Sequence, residues 1–223
     1  ESLDASPRDV ITAFVTGYDI CCRVGALVGP SHYNKGFHAT ATVGSIGSAA
    51  ACARLLELDA ETTAASFGIA GTMASGLKSM FGTMCKPLHA GRAAENGLSA
   101  ARLASRGFTS RDDVLECSQG FAATQSEDFN ADEALSSASL DHHIRQNLFK
   151  YHASCYLTHG AIESACSLRA QKIISVDAID SIEIRVSPVT DRVCNIAKPA
   201  TGLEAKFSLR LCVAMGLAGH NTS

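Results

Sequence analysis

Tryptophan is absent from this chain of 223 residues, and all aromatic residues together make up only 6% of it. Neither sign of charge is in large excess, because the formal net charge is only -3. No run of lysine or arginine occurs. Proteins that bind nucleic acid or an anionic membrane surface usually carry a basic patch. The composition therefore argues against a nucleic acid or membrane partner.

Long hydrophobic runs are missing as well. No segment approaches the roughly 18 uninterrupted apolar residues of a membrane span, and residues 1–20 lack the charged-then-apolar layout of a signal peptide. We therefore expect a cytoplasmic protein. The chain opens on Glu1 and stops soon after an apolar run, so we also expect it to be a fragment of a longer reading frame.

The common motifs of metal and nucleotide sites are not found. The nine cysteines form no CxxC pair, and the chain contains no HExxH, P-loop or GxGxxG pattern. His142, His143 and His152 lack the spacing of a zinc-binding helix. We predict no metal site and no nucleotide cofactor, and we interpret most cysteines as small buried hydrophobic residues.

Helical patterns dominate the first three quarters of the sequence. Ser6-Pro7-Arg8-Asp9 is a typical helix start, and the apolar spacing behind it predicts a helix to about Val28. A run of small residues from Val43 to Leu56 indicates closely packed helices. Further patterns predict loops at 29–36 and 120–137, and helices at 59–74, 91–105, 139–146 and 159–172.

The hydrophobic period changes after Asp180. Residues 181–187 alternate apolar and polar side chains, which predicts a half-exposed β-strand, and residues 205–218 return to a helical pattern. The chain is therefore predicted to be mainly α, with an all-helical domain over residues 1–172 and the start of an α+β domain over residues 173–223.

Lys86 and His89 form the first candidate site. Both lie in a glycine-bounded stretch, predicted as a loop, that leads into a helix. A lysine at the positive end of a helix is mildly unfavourable unless an anion lies between them. The pattern indicates a bound carboxylate or phosphate. The alternative is a solvated lysine beside a histidine that caps the helix.

Two further histidines lie at predicted helix starts. The helix dipole would lower the pKa of His38 and keep it neutral as a base, although a capping role explains its position nearly as well. His159 is a weaker candidate, because a lone histidine is most often structural. Cys85, next to Lys86, could be a nucleophile, but no oriented pair of histidine and carboxylate is evident around it.

The motifs together resemble the MmgE/PrpD family, which includes 2-methylcitrate dehydratase, cis-aconitate decarboxylase and iminodisuccinate epimerase. The resemblance covers nearly the whole chain and is carried by residues 36–51, the Cys85-Lys-Pro-Leu-His-Ala-Gly91 stretch, the series Tyr151, Cys155 and His159, and residues 199–208. It implies a large helical domain with an α+β lid, a homodimer, and a cofactor-free active site for small di- or tricarboxylates in the cleft between the domains.

The resemblance also implies roles for individual residues. His38, Lys86 and His159 match catalytic positions of the family. Apart from the resemblance, Lys86, His89 and Lys150 are expected to bind substrate. Two departures stand out. Nothing in residues 1–35 matches the family's Asp-Asp segment and the catalytic histidine that follows it, and Ser187–Cys194 lacks the tyrosine shared by cis-aconitate decarboxylases.

The prediction that follows is a lyase of the 2-methylcitrate dehydratase type. It would move a proton on a carbon next to a carboxylate, with the developing charge held by Lys86. An epimerase of the iminodisuccinate type and a cis-aconitate decarboxylase are alternatives that use the same residues. A non-catalytic dimerising scaffold is the alternative of another class.

Overall fold

The computed structural model describes residues 4–136, 142–172 and 175–223. The chain divides into two compact units, one formed by Glu1–Ser79 and Pro87–Asn147 and the other by Met80–Lys86 and Leu148–Ser223. The described α-helices are α1 Pro7–Lys35, α2 Ala39–Leu55, α3 Ala60–Met73, α4 Cys85–Ala104, α5 Phe121–Gln125, α6 Ala131–Ser136, α7 His159–Ala170, α8 Pro188–Val193, α9 Gly202–Ala205 and α10 Leu209–Ala218. The prediction of a mainly α chain is confirmed.

The first helix begins as predicted but is longer. Ser6 and Asp9 form a reciprocal capping box at its start. The helix is kinked at Gly29, whose φ of 59° lies in the left-handed region, and Pro30 follows directly. Residues 30–35 then continue as helix, so the loop predicted at 29–36 is wrong over most of its length. Proline suits the first position of this second helical segment because its φ is already helical.

Small residues allow the helices of the first unit to pack closely, as the sequence indicated. A Cβ atom added to Gly17 of α1 would lie 2.7 Å from the carbonyl oxygen of Gly47 in α2. Ile46 and Ala49 of α2 are fully buried. By length and composition α1 could cross a membrane. It contributes Val24, Leu27 and Val28 to the core of this unit.

The middle of the chain differs from the prediction in two places. Two short helices, α5 and α6, occupy the segment predicted as irregular at 120–137. The helix predicted at 139–146 appears as a 3-10 turn at His143–Gln146, and residues 137–141 lie outside the described residues. Short helices of this kind contain too few turns for a hydrophobic period to be visible in the sequence.

The second unit has its own core. Ala165 of α7 packs there with Cys194, Phe207 and Val213. The unit includes α7, which the sequence pattern assigned to the helical domain, because contacts rather than the hydrophobic period define it. The domain boundary predicted at residue 172 stays a prediction.

Residues 181–187 do not form the predicted β-strand. Ile184 and Val186 pack against the core of the second unit, whereas Glu183 and Arg185 pair with each other on the exposed side. The alternating pattern therefore marks a segment without regular structure in which Ile184 and Val186 are partly buried and Ile182 is exposed. A strand also needs a neighbour, and the described residues contain only two isolated β-bridges. The α+β lid stays a prediction.

Candidate active site

His38 and His89 are in direct contact within the first unit. Their Nδ1 atoms lie 2.8 Å apart, and the side chains are largely buried, with only 6% and 9% of each residue exposed. A hydrogen bond between two ring nitrogens requires one to donate and the other to accept. When both rings are neutral, they must therefore be in opposite tautomers.

The local backbone explains why these two rings meet. His38 is the N-cap residue of α2, but its side chain makes no capping hydrogen bond. His89 lies inside α4 and not in a loop before it, so neither histidine has the capping role considered as the alternative. Gly76 has a φ of 155° and accepts a hydrogen bond from the His38 amide. A Cβ atom there would lie 2.4 Å from the Cβ of Ala41 and 3.4 Å from the His89 ring.

His32 is a buried neighbour that the sequence analysis did not identify. Its Nε2 lies 2.8 Å from the hydroxyl of Thr42, which also donates to the backbone carbonyl of His38. Burial lowers the pKa of His32 and favours the neutral ring. The only signal in the sequence was a histidine in the Gly29–Gly36 segment, which was interpreted as a loop.

Three lysines of the second unit influence one another electrostatically. Lys86 lies in the first turn of α4, and not in the predicted loop. Its ammonium group is 5.6 Å from the ring centre of Phe81 and 5.7 Å from that of Phe207. Burial lowers the pKa of Lys86, the positive charges of Lys150 and Lys206 lower it further, and Cys155 raises it. We call Lys86, Lys150 and Lys206 the lysine cluster.

No carboxylate balances this cluster in the part of the chain that the structure describes. Ion pairs are found elsewhere, but none of them includes Lys86, Lys150 or Lys206. Lys150 instead donates a hydrogen bond to the carbonyl of Ser154, at 3.0 Å. The lysine cluster is therefore an electrostatically positive region with capacity for an anion.

His159 belongs to the same unit as the lysine cluster. It is the first residue of α7, as the sequence predicted, and is 7% exposed. Its Nε2 atom is buried and has no hydrogen-bond partner among the described residues. Burial lowers the pKa of His159, and the neighbouring His152 and Lys150 lower it further. A neutral ring with a free nitrogen is suited to accept a proton.

His152 is a second residue that the sequence analysis did not assign to the site. Its ring lies edge-on to His159 with a centroid distance of 4.9 Å. Its Nδ1 is 2.8 Å from the Thr222 hydroxyl and its Nε2 is 2.7 Å from the Glu163 carboxylate. Both nitrogens are thus engaged, so the ring is fixed in place beside His159.

The predicted site residues therefore fall into two groups. His38 and His89 meet in the first unit, and Lys86, Lys150 and His159 interact in the second. Cys85 is exposed. Within residues 4–136, 142–172 and 175–223, no group of three or more histidine, cysteine or acidic residues is placed to hold a metal ion.

Comparison with known proteins identifies two family domains. Residues 1–134 match the model described as the MmgE/PrpD N-terminal domain, and residues 152–223 match the MmgE/PrpD C-terminal domain. A human cis-aconitate decarboxylase is 29% identical over 235 residues, which cover 100% of this chain and 48% of that protein.

Two fungal relatives that match this chain are also cis-aconitate decarboxylases. One cis-aconitate decarboxylase from Aspergillus terreus is 27% identical over 226 residues, covering 94% of this chain and 46% of the relative. A second, from Aspergillus terreus strain NIH 2624, is 33% identical over 165 residues, covering 70% of this chain and 34% of the relative. The chain spans about half the length, or less, of the curated relatives it matches.

Proposed function

The chain belongs to the MmgE/PrpD family, and from that premise we propose that it is part of a lyase for small di- or tricarboxylates. The reaction moves a proton on a carbon next to a carboxylate, without a cofactor. The curated relatives named above carry the name of a lyase for a tricarboxylate, which supports the substrate class. The lysine cluster is the observation that carries the proposal.

The lysine cluster supports anion binding on electrostatic grounds. A partly buried ammonium group next to two other ammonium groups is unfavourable, since burial and like charges both oppose its charged form. A carboxylate bound between Lys86 and Lys150 would relieve this repulsion. The positive end of α4, where Lys86 lies, attracts the same negative charge. Substrates with two or three carboxylates fit a site of this kind.

The same residues are suited to stabilise a carbanion. Removal of a proton next to a carboxylate places additional negative charge on that carboxylate. Lys86 and Lys150 would hold this charge, and the unpartnered Nε2 of His159 would accept the proton. His38 and His89 lie in the first unit, and their predicted roles stay predictions.

Dehydration of the 2-methylcitrate type is the finer form of the proposal. Such a reaction begins with proton removal, and it therefore needs a base that is neutral before the substrate reacts. Burial keeps His159 in that state, because it lowers the pKa of the ring. The leaving hydroxide would then take a proton from the Lys86 ammonium group, whose lowered pKa makes it a stronger acid.

Decarboxylation of cis-aconitate is the second candidate, because the curated relatives named above carry that name. Here carbon dioxide leaves first and the carbanion receives a proton. Lys86 suits this step as well, since its lowered pKa makes the ammonium group a stronger acid. The two candidates differ in which residue acts first. An epimerase would remove a proton with the same base and return a proton to the same carbon, and no group would leave the substrate.

Proton NMR in D2O tests the proposal. The chain, and the longest reading frame that contains it, would be incubated with 2-methylcitrate, cis-aconitate and iminodisuccinate. We expect one acid to be converted. Decarboxylation or epimerisation places one deuterium on a carbon of the product, whereas dehydration removes the proton signal of the carbon next to a carboxylate. The product then names the reaction. Lys86→Ala should abolish the conversion, whereas Lys198→Ala, which removes an exposed lysine of the same unit, should retain it.

Absence of both conversion and exchange with every acid, from a folded and complete chain, would contradict the enzyme assignment and favour the non-catalytic scaffold. Equal loss of activity in both lysine variants would contradict a specific role for Lys86. We also propose a homodimer, as the family resemblance implies, and a location in the cytoplasm, as the sequence pattern leads us to expect. Light scattering during gel filtration and fractionation of cells check these two points.

A further inference from the structure

His159 and Glu163 lie one turn apart on α7. Side chains four positions apart share one face of a helix, so the proposed base and this carboxylate project from the same side. His152 lies against that face. Its Nε2 is 2.7 Å from the Glu163 carboxylate, and its ring meets the His159 ring edge-on at a centroid distance of 4.9 Å. One imidazole thus contacts both residues.

The partners of His152 select one form of its ring. An ionised carboxylate only accepts hydrogen bonds, so the contact with Glu163 requires a hydrogen on Nε2. In the neutral ring Nδ1 then carries a lone pair and accepts from the Thr222 hydroxyl, 2.8 Å away. In the protonated ring both nitrogens donate, and the same hydroxyl accepts. Both contacts therefore persist in either charge state of the ring.

Two rings flank His159, and they differ in how firmly they are held. The Tyr156 ring lies 5.0 Å from the His159 ring between centroids, but Tyr156 is 46% exposed. His152 is buried and bonded at both nitrogens. At His159 itself, Nε2 has no hydrogen-bond partner in the part of the chain that the structure describes. The His152 ring is therefore the rigid surface against which the His159 ring packs.

We propose that Glu163, His152 and Thr222 form a positioning network for His159. The network fixes the His152 ring, and this ring holds the His159 imidazole with Nε2 left available. The inference rests on the proposed function, in which His159 accepts the substrate proton. The network residues act through His159 and need no contact with the substrate. An acceptor nitrogen that is oriented before the substrate binds lowers the barrier of proton removal.

Nitrogen-15 NMR of the histidine side chains tests the network without a substrate. In the wild type we expect the neutral His152 ring to show one tautomer, with its hydrogen on Nε2. Glu163→Gln keeps a carbonyl oxygen as acceptor and should keep this tautomer. Glu163→Ala removes the acceptor, so both tautomers should be populated, because the Thr222 hydroxyl can bond either form. The Glu163 side chain is 66% exposed, so its substitution leaves the core intact.

The titration of His159 is a second readout. The titratable groups that act on it are His152 and Tyr156, whose rings contact it, and Lys150. Burial lowers the pKa of His159, and the charges of His152 and Lys150 lower it further. His152→Phe keeps an aromatic ring but removes the charge, so the NMR midpoint for protonation of His159 should rise toward the ordinary value of about 6.5. Circular dichroism checks that the variant is folded.

Kinetics tests the positioning role, with the acid that is converted in the D2O experiment. Glu163→Ala should lower kcat by about 10- to 100-fold, because a misplaced base loses rate, and should leave KM nearly unchanged. Glu163→Gln should restore most of kcat. Glu183→Ala, which removes an exposed glutamate of the same unit that pairs with Arg185, should retain the full rate.

Three results would overturn the proposal. A neutral His152 ring with its hydrogen on Nδ1 in the wild type would exclude the contact with Glu163. A His159 midpoint that is the same in the wild type and in His152→Phe would show that the two rings are not coupled. A kcat for Glu163→Ala equal to that of the wild type would exclude the positioning role. Conversion of no acid would instead contradict the proposed function, while the tautomer of His152 would still decide whether the network forms.

Discussion

The close contact between α1 and α2 makes a quantitative prediction for two glycines on the same helix. A Cβ atom added to Gly17 would lie 2.7 Å from the Gly47 carbonyl oxygen and 2.8 Å from the Ala51 Cβ. A Cβ atom added to Gly25 would meet nothing within 4 Å. Both positions are interior to α1, so Gly→Ala changes the helix propensity at each by a similar amount.

The expected magnitudes follow from these distances. Gly25→Ala should stabilise the chain by about 0.5–1 kcal/mol, because alanine favours the helix. Gly17→Ala gains the same amount but forces α1 and α2 apart, and overpacking of a tight contact costs about 1–3 kcal/mol. The difference between the two variants removes the propensity contribution. We therefore expect Gly17→Ala to be less stable than Gly25→Ala by about 1–3 kcal/mol.

Urea unfolding followed by circular dichroism measures this difference. The midpoint should fall for Gly17→Ala relative to Gly25→Ala, with the same dependence on urea in both variants, since the exposed surface on unfolding is unchanged. Equal stabilisation by the two substitutions would refute the reasoning. That result would mean that α1 and α2 do not approach as closely as the structure shows.

Three further predictions concern individual side chains. Asp59→Ala should lower the free energy of unfolding by about 1 kcal/mol, because the Asp59 carboxylate caps α3 by accepting a hydrogen bond from the Thr62 amide at 2.8 Å. Asp59→Asn keeps an acceptor and should retain most of the stability. Urea titrations compare the two variants. The pKa of His159 is lowered on folding. Acidification from about pH 7.5 to 5.5 therefore protonates this histidine in the unfolded state first, which lowers the stability of the fold. Thermal melts should show that His159→Gln loses less stability over that pH range. A double-mutant cycle of His38→Phe and His89→Phe should give a coupling energy of about 1 kcal/mol or more from urea midpoints, and additive effects would contradict the hydrogen bond between the rings.

Local sequence signals were sufficient for most of the helices. The capping residues Ser6 and Asp59 mark helix starts that the structure confirms. The small residues of α2 correctly indicated close packing, because only short side chains allow two helix backbones to approach. The family motifs also led to the family that the domain comparisons show.

Contacts between distant residues could not be predicted from local patterns. His38 and His89 are 51 positions apart, and their meeting depends on the backbone at Gly76. The helix α4 begins at Cys85, earlier than the predicted start at residue 91. Proline at position 87 and glycine at position 91 are typical of loops, but both fit within this helix.

The hydrogen bond between His38 and His89 also has a consequence for how the sequence can vary. Exchange of one histidine for an apolar residue leaves the other ring buried without this hydrogen bond. An intermediate with a single exchange is thus less stable than either the original pair or a fully apolar pair. We therefore expect the two positions to covary, so that homologous chains change both residues or neither.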